Sequence, residues 1–287
     1  MYNSITPLFS VLIANYNNAN YLRDALESVK SQTYPNWEII IVDDASTDNS
    51  LPIINEYVSG DERIKLFENK TNCGVGYTKS RCIDSALGEI AGFLDPDDVL
   101  IDNALETMVD LHLENKEAAL IYSNCFICDE NLNILRRSFV NSIPPNRSML
   151  EYVGEDNMSL SHFTTFKISF YLKSARLDIS CKRAIDLDFY YKMEEVGKLI
   201  HIDAHLYKYR MHENGLSLGA NSIKANSWHM YVIIMTCKRR GLQFEDYIPK
   251  LIQHDIIDQE RKRRDYVIGN KILRPIRKIK GYISKFK

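Results

Sequence analysis

The first 125 residues of this 287-residue chain alternate between short apolar strands and helices with one apolar face. Phe9–Ala14 is an almost unbroken apolar run, which is typical of a parallel strand buried on both faces. Four further strands follow it, predicted at Trp37–Val42, Arg63–Glu68, Ile90–Leu94 and Ala118–Tyr122. Strands that alternate with helices predict an α/β fold whose central sheet is mostly parallel and flanked by helices.

The pattern is less regular after residue 125 and becomes mostly helical beyond Ser217. Short strands are predicted at Ile134–Val140, Thr164–Ser169 and Ile200–Tyr209, and a helix is predicted at Asp186–Val196. Two later helices are predicted at Trp228–Arg239 and Tyr247–Tyr266. We therefore predict a domain over residues 1–217, with halves at 1–125 and 126–217. A helical extension over residues 218–287 completes the prediction.

The composition, 45% hydrophobic and 26% charged, is typical of a soluble globular protein. We expect a cytoplasmic protein with reduced thiols, because no signal peptide is visible and no run approaches the ~18 apolar residues of a membrane span. Cys125 and Cys128 form a lone CxxC pair. Because no second ligand pair accompanies it, we interpret the pair as buried structural thiols and not as a zinc site.

The basic residues are concentrated at the end of the chain. Residues 261–287 carry eleven Lys or Arg and one acid, whereas the first 260 residues carry 25 bases and 37 acids. Apolar residues interleave with these bases at roughly helical spacing, which predicts an amphipathic segment on an anionic membrane surface. A solvated tail is the alternative. Nucleic acid binding is not expected, because no recognition motif accompanies the basic run.

Polar residues follow three of the predicted strands at their carboxyl ends. Tyr16 follows the first, Asp44 the second, and Asp95-Pro-Asp97-Asp98 the fourth. Parallel strands bring these ends to one edge of the sheet, where open α/β folds bind ligands. Three carboxylates within four residues repel one another unless a cation lies between them, and Mn2+ or Mg2+ prefers such oxygen ligands. A Pro-containing turn is the alternative reading of the same residues.

These motifs, in this order, closely resemble the family 2 glycosyltransferases, which have the GT-A fold. The resembling residues lie at 10–50, 72–98 and 208–217, and include DDxSTD, FLDxDD and YRxH. The first strand is not followed by GxGxxG, which disfavours a dinucleotide dehydrogenase, and the chain has no P-loop motif.

The resemblance implies a binding site for a nucleotide-diphosphate sugar. Positions that hold the base, the ribose or the diphosphate correspond to Ala14, Tyr16, Asp44, Lys79, Asp95 and Arg210, and positions at the metal correspond to Asp97 and His212. Lys79 stands where the family usually has Arg, so it would neutralise a phosphate without a bidentate fork. A turn or helix-cap role for Asp44 and a solvated helix face for Lys79 are the alternatives.

The resemblance also implies a general base that takes the proton of the acceptor hydroxyl. Asp186 corresponds to it, although Ile185 stands where the family usually has Glu, which leaves Asp186 and Asp188 as candidates. We favour Asp186 because its spacing to Lys192 matches the family pattern. One base in a single displacement implies inversion at the anomeric carbon. A helix cap is the alternative role for Asp186, and His162 is either an acceptor contact or a core histidine.

The function expected from the resemblance is a metal-dependent inverting glycosyltransferase, hexosyltransferase-like. Its acceptor would be a saccharide or a lipid-linked saccharide in cell-surface polysaccharide or glycolipid synthesis, at the inner face of the plasma membrane. One alternative is a catalytically inactive relative that binds partners at a membrane. The other is a sugar nucleotidyltransferase, which would carry a Gly-rich loop with a basic residue where this chain has Asn15–Asn20.

Overall fold

The computed structural model describes residues 6–140, 142–143, 147–153, 160, 162–212 and 222–253. Within these residues, nine strands form one sheet. The strands are β1 (Phe9–Asn15), β2 (Trp37–Asp43), β3 (Ile64–Glu68), β4 (Ile90–Phe93), β5 (Val99–Leu100), β6 (Ala118–Cys128), β7 (Ile134–Ser138), β8 (Thr164–Lys167) and β9 (Lys198–Arg210). The α-helices are α1 (Leu22–Lys30), α2 (Ser50–Gly60), α3 (Val75–Ser85), α4 (Ala104–Glu114), α5 (Ile168–Tyr171), α6 (Ile185–Glu194) and α7 (Ser222–Arg240).

One half of the sheet is parallel, in the order β3-β2-β1-β4. β1 and β2 pair in register from Phe9 opposite Trp37 to Asn15 opposite Asp43. Both strands are buried almost throughout, because helices cover the two faces of the sheet. Their continuous apolar sequences follow from this double burial, and the predicted α/β fold is confirmed.

The other half of the sheet is mixed. β8 pairs antiparallel with β4 and β6, β6 pairs parallel with β9, and β5 and β7 each join antiparallel. β5 was not predicted because two residues are too short to show a periodic pattern. β6 continues through residue 125, so the two predicted halves of the domain share one sheet.

The predicted helices are present, with shifted starts. α1 begins after Tyr21, and the amides of Tyr21 and Leu22 donate to the Asn18 carbonyl just before it. α7 contains the predicted Trp228–Arg239 helix. Part of the predicted Tyr247–Tyr266 helix and the whole basic tail lie outside the described residues.

Two apolar cores lie on opposite faces of the sheet. One contains residues of α1, α2 and α4, and the other contains residues of α3, α6 and α7. Cys125 and Cys128 are buried and not disulfide-bonded, as expected for structural thiols. Among the helices that the structure describes, none combines the length and the apolar composition that a bilayer span requires.

Candidate active site

The predicted site residues of the first half meet at the carboxyl edge of the parallel strands. Ala14 and Tyr16 lie at the end of β1, Asp44 follows β2, and Asp95 follows β4. β1 pairs parallel with both β2 and β4, so the three strand ends point the same way. Tyr16 leaves 45% of its surface exposed, so its ring is accessible at this edge.

Asp44 is buried and organises the loop that leads into α3. Its carboxylate accepts hydrogen bonds from the Asn69 side chain at 2.7 Å and from the amides of Cys73 and Gly74, each at 2.8 Å. Gly74 has a φ of +87°, a conformation that suits glycine. A carboxylate offers about four acceptor positions, so these three donors leave Asp44 about one position for a further donor.

The Asp95-Pro-Asp97-Asp98 loop combines a partly exposed and a buried carboxylate. Asp98 is 1% exposed, and one of its oxygens accepts a 2.7 Å hydrogen bond from the Arg210 amide. Burial raises the pKa of Asp98 well above its usual range, and the charges of Asp97 and Asp95 add to the effect. The side chain of Asp95 is one third exposed at the same edge.

The Asp97 carboxylate lies 2.9 Å from Nε2 of His212. Burial and the Asp95 charge raise the pKa of Asp97, and the contact with His212 opposes the rise. Nδ1 of His212 is buried, and it has no hydrogen-bond partner among the residues that the structure describes. The two predicted metal residues are therefore adjacent, 115 positions apart in the chain.

A carboxylate oxygen beside an imidazole nitrogen fits a divalent cation such as Mn2+, with other coordination positions left for phosphate oxygens. Within the described part of the chain, no group of three or more His, Cys, Asp or Glu side chains has a metal-binding arrangement. Asp97 and His212 would supply two protein ligands.

Asp186 lies at the start of α6 and faces Lys79 of α3. Their side chains form an ion pair at 2.7 Å, and the Lys79 ammonium also lies 3.7 Å from Asp95. The Asp186 side chain keeps 47% of its surface exposed, whereas that of Lys79 keeps 8%. One lysine thus connects the candidate general base to the carboxylate loop after β4.

The ion pair changes the pKa of both groups. Burial raises the pKa of Asp186, but the charge and hydrogen bond of Lys79 outweigh it and hold the pKa below its usual value. Burial likewise opposes the charged form of Lys79, and the charges of Asp186 and Asp95 raise its pKa above the usual value. Both groups are therefore ionised at neutral pH, as a carboxylate base requires.

An open cavity, the Asp186 cavity, contains this ion pair. It is lined by Lys79, Phe93, Asp95, His162, Thr164, Asp186, Phe189 and Tyr190. The His162 ring stacks on Tyr207 and Tyr209, with centroids 5.1 and 5.6 Å away, and borders the cavity instead of lying in the core. Charged and aromatic side chains therefore line the same cavity.

Asp188 has different surroundings from Asp186. It is 3% exposed, forms a 2.7 Å ion pair with Lys192 and accepts a 3.0 Å hydrogen bond from the Asp178 amide. Positions two apart on a helix lie nearly opposite one another, so only Asp186 faces the cavity.

Arg210 uses its guanidinium within the protein. Its three nitrogens donate to the Asp24 carboxylate and to the carbonyls of Asp97 and Glu130. The contact with a diphosphate that the resemblance implies stays a prediction. His212 is the last residue described in this segment, and residues 213–217 of the resembling segment at 208–217 lie outside the described residues.

Sequence reasoning missed two side chains that shape the site. Asn69 donates to Asp44, and Tyr207 accepts a 3.1 Å hydrogen bond from the Asp95 amide. Asn69 lies just after β3, so the rule that strand ends carry functional side chains would have included it. Tyr207 lies inside β9, and no local signal distinguishes it from a core tyrosine.

The chain is similar in sequence to a hyaluronan synthase and to a putative glycosyltransferase. It is 27% identical over 256 residues to a hyaluronan synthase from Pasteurella multocida, covering 89% of this chain and 25% of that protein. It is 28% identical over 248 residues to the putative glycosyltransferase EpsE of Bacillus subtilis (strain 168), covering 84% of this chain and 86% of that protein. The chain spans only 25% to 34% of the length of the hyaluronan and chondroitin synthases it matches.

Solved structures share the fold. S. aureus TarS 1-349 in complex with UDP-GlcNAc has a TM-score of 0.66 at 19% identity, over 86% of this chain and 71% of that one. The mannosyltransferase PcManGT from Pyrobaculum calidifontis, in complex with GDP-Man and Mn2+, has a TM-score of 0.61 at 14% identity, over 82% and 65%. The fold is therefore GT-A. A family model described as "Glycosyl transferase family 2" matches residues 10–176, more than half of the chain, and the chain belongs to this family.

Proposed function

We propose that this chain is an inverting glycosyltransferase that moves a sugar from a nucleotide-diphosphate donor to an acceptor hydroxyl. The observation that carries the proposal is the position of Lys79 between Asp95 and Asp186. Asp95 belongs to the loop proposed to bind the donor, and Asp186 is proposed to activate the acceptor. A site with this arrangement serves both substrates of a transfer reaction.

The proposed step is a single displacement. The acceptor oxygen forms a bond to the anomeric carbon while its proton passes to the Asp186 carboxylate. The bond between that carbon and the donor phosphate oxygen breaks, and the nucleoside diphosphate leaves with the bonding electrons. Attack opposite the leaving group inverts the anomeric configuration. The low pKa of Asp186 supports this role, because only the ionised carboxylate can accept the proton.

We propose that Asp97 and His212 hold a divalent cation, Mn2+ or Mg2+, beside the donor diphosphate. When bound, such a cation stabilises the negative charge on the departing nucleoside diphosphate. The 2.9 Å contact between the two side chains supports the assignment. So does the Mn2+ in the mannosyltransferase that shares this fold.

Ala14, Tyr16 and Asp44 are proposed to bind the nucleotide base, and Lys79 and Asp95 the ribose and phosphates. The exposed Tyr16 ring offers a stacking surface beside the end of β1. The related structures contain UDP-GlcNAc or GDP-Man, which favours a nucleotide sugar as the donor.

The acceptor is proposed to be a saccharide or a lipid-linked saccharide, and the pathway cell-surface polysaccharide or glycolipid synthesis. The hyaluronan and chondroitin synthases among the relatives favour a polysaccharide product. The basic segment at residues 261–287 supports a peripheral position at an anionic membrane. Truncation after Glu260 should then abolish binding to anionic vesicles, and unchanged binding would reject the membrane role.

A donor screen followed by site variants tests the enzyme proposal. UDP-, GDP- and dTDP-sugars are tested for a rise in melting temperature with Mn2+, and the best donor then enters transfer and hydrolysis assays. We expect Asp97→Ala to lose donor binding. Asp186→Asn should keep it and lose turnover by about 10²- to 10⁴-fold, the usual contribution of a general base. Asp110→Asn, which changes an exposed carboxylate on α4, is the matched control.

The outcomes separate the alternatives. NMR of the first product reports the anomeric configuration, and retention would exclude the single displacement. Donor binding without turnover in the wild type, with every acceptor, would indicate an inactive relative. If the wild type neither binds nor hydrolyses any nucleotide sugar, the proposed function is refuted.

A further inference from the structure

Arg210 is a charged residue in a buried position. Only 4% of its surface is exposed, and a buried cation is costly unless its donors are satisfied. Each of the three guanidinium nitrogens donates one hydrogen bond, which accounts for three of its five N–H groups. Nη2 donates to the Asp24 carboxylate at 2.7 Å, Nε to the Asp97 carbonyl at 2.7 Å, and Nη1 to the Glu130 carbonyl at 2.6 Å.

The backbone of Arg210 contacts the same loop as its side chain. Its amide donates to the Asp98 carboxylate at 2.7 Å, so one residue of β9 holds two consecutive residues of the loop after β4. These contacts fix the loop from one side. The Asp97 carboxylate itself points to the His212 imidazole, two residues beyond Arg210.

Tyr21 completes the arrangement from the start of α1. Its ring lies 4.8 Å from the Arg210 guanidinium and 4.7 Å from the His212 ring, measured at the centroids. Its hydroxyl donates to the Glu130 carboxylate at 2.8 Å. Arg210, Tyr21, His212 and Asp97 therefore form a closed circuit of contacts.

We infer that Arg210 is a positioning residue that sets the geometry of the Asp97–His212 pair for a divalent cation. The inference rests on the proposed function for the identity of that pair as metal ligands. This role differs from a diphosphate contact, because three of the five guanidinium N–H groups already donate within the protein. A lysine would keep the charge but could not reach three acceptors held in a planar fork.

Mn2+ binding to the full chain tests the inference, with free Mn2+ followed by electron paramagnetic resonance. We expect Arg210→Lys to weaken Mn2+ binding by about 10- to 100-fold, as is usual when a residue that orients metal ligands is replaced. The control is Arg63→Lys. Arg63 pairs with the Asp61 side chain and precedes β3, at the opposite edge of the sheet, so its replacement should leave Mn2+ affinity unchanged.

Two further measurements separate positioning from other roles. Because Arg210 positions the two side chains as a pair, the loss of Mn2+ affinity caused by Arg210→Lys should be smaller in a His212→Ala background than in the wild type, whereas an undiminished loss would overturn the inference. Binding of UDP and GDP in EDTA should differ by less than twofold between Arg210→Lys and wild type. Weaker nucleotide binding with unchanged Mn2+ affinity would indicate a phosphate contact instead.

A Tyr21 series keeps the test decisive if Arg210→Lys fails to fold. Tyr21→Leu removes the ring between Arg210 and His212 and should weaken Mn2+ binding severalfold. Tyr21→Phe keeps the ring and should stay near wild type. Equal affinities in all three proteins, or a wild type that binds no Mn2+ at millimolar concentration, would overturn the inference. Mn2+ binding that depends on Arg210, in a chain that transfers no sugar, would refute the proposed function alone.

Discussion

The ion pair of Asp188 and Lys192 gives a quantitative test of which carboxylate on α6 is structural. The side chains are 5% and 7% exposed, and their charged atoms lie 2.7 Å apart. Asp188 also accepts a hydrogen bond from the Asp178 amide, which ties α6 to the turn before it. We predict that Lys192→Met destabilises the fold, because it leaves the Asp188 charge buried without its partner.

The size of the effect follows from two opposing terms. At 2.7 Å and an effective dielectric constant of about 20, the attraction is roughly 6 kcal/mol, and desolvation of the two ions offsets most of it. Removing one partner loses the attraction and keeps the desolvation cost of the other, which typically destabilises by about 3–5 kcal/mol. A domain of this size has a total stability of about 5–15 kcal/mol, so the loss is large.

Urea unfolding followed by circular dichroism measures the change. We expect Lys192→Met to lower the free energy of unfolding by about 3–5 kcal/mol, and Lys192→Met combined with Asp188→Leu to recover part of it. Asp186→Asn should lower the free energy of unfolding by less, because the Asp186 side chain is half exposed and Lys79 still has the Asp95 carboxylate nearby. The reasoning is refuted if Lys192→Met costs less than about 1 kcal/mol. A folded Asp188→Asn variant without turnover would make Asp188 the base.

Three more predictions concern pH and packing. The charge of Lys79 lowers the pKa of Asp186 against the effect of burial. Lys79→Met should therefore raise this pKa and move the acid limb of the kcat/KM profile to higher pH. An acid limb at the wild-type pH would contradict the role of the ion pair. Burial lowers the pKa of His112 to about 3, so unfolding binds a proton at His112 below pH 6.5. His112 should therefore add a loss of stability of about 1.4 kcal/mol per pH unit from pH 6.5 toward pH 3. His112→Gln should lack this slope in urea titrations between pH 4 and 7, and equal slopes would show that His112 is not the cause. Gly92→Ala would place a methyl carbon 2.8 Å from two ring carbons of Phe163. We expect this overpacking to lower the free energy of unfolding by about 1–3 kcal/mol, which thermal unfolding measures. An unchanged melting temperature would show that the ring moves aside without cost.

The sequence predicted the parallel half of the sheet because its signals are local. β1 and β2 are buried on both faces, which forces continuous apolar runs. Their polar ends lie at the edge of the sheet that we propose binds the donor, and strand order alone placed Tyr16 and Asp44 at this edge. The GT-A fold and the family followed from the order of the motifs, and both are confirmed.

The contacts that complete the site are not encoded locally. Lys79 and Asp186 are 107 positions apart, and Asp97 and His212 are 115 apart. Their meeting depends on how β9 and α6 pack against the first half of the chain. The burial of Arg210 likewise depends on Glu130, which belongs to the β6–β7 connection and carries no recognisable motif.

Ile185 stands where the family usually has Glu, and this difference bears most directly on whether the chain is active. The side chain is 4% exposed and belongs to the apolar core that contains Phe189, and it does not line the Asp186 cavity. Successive residues on a helix are about 100° apart, so position 185 can face the core while Asp186 faces Lys79. An isoleucine there removes no polar group from the cavity, since the charges in it come from Lys79, Asp95 and Asp186. The identity of residue 185 is therefore a weaker guide to activity than the turnover of the Asp186→Asn variant.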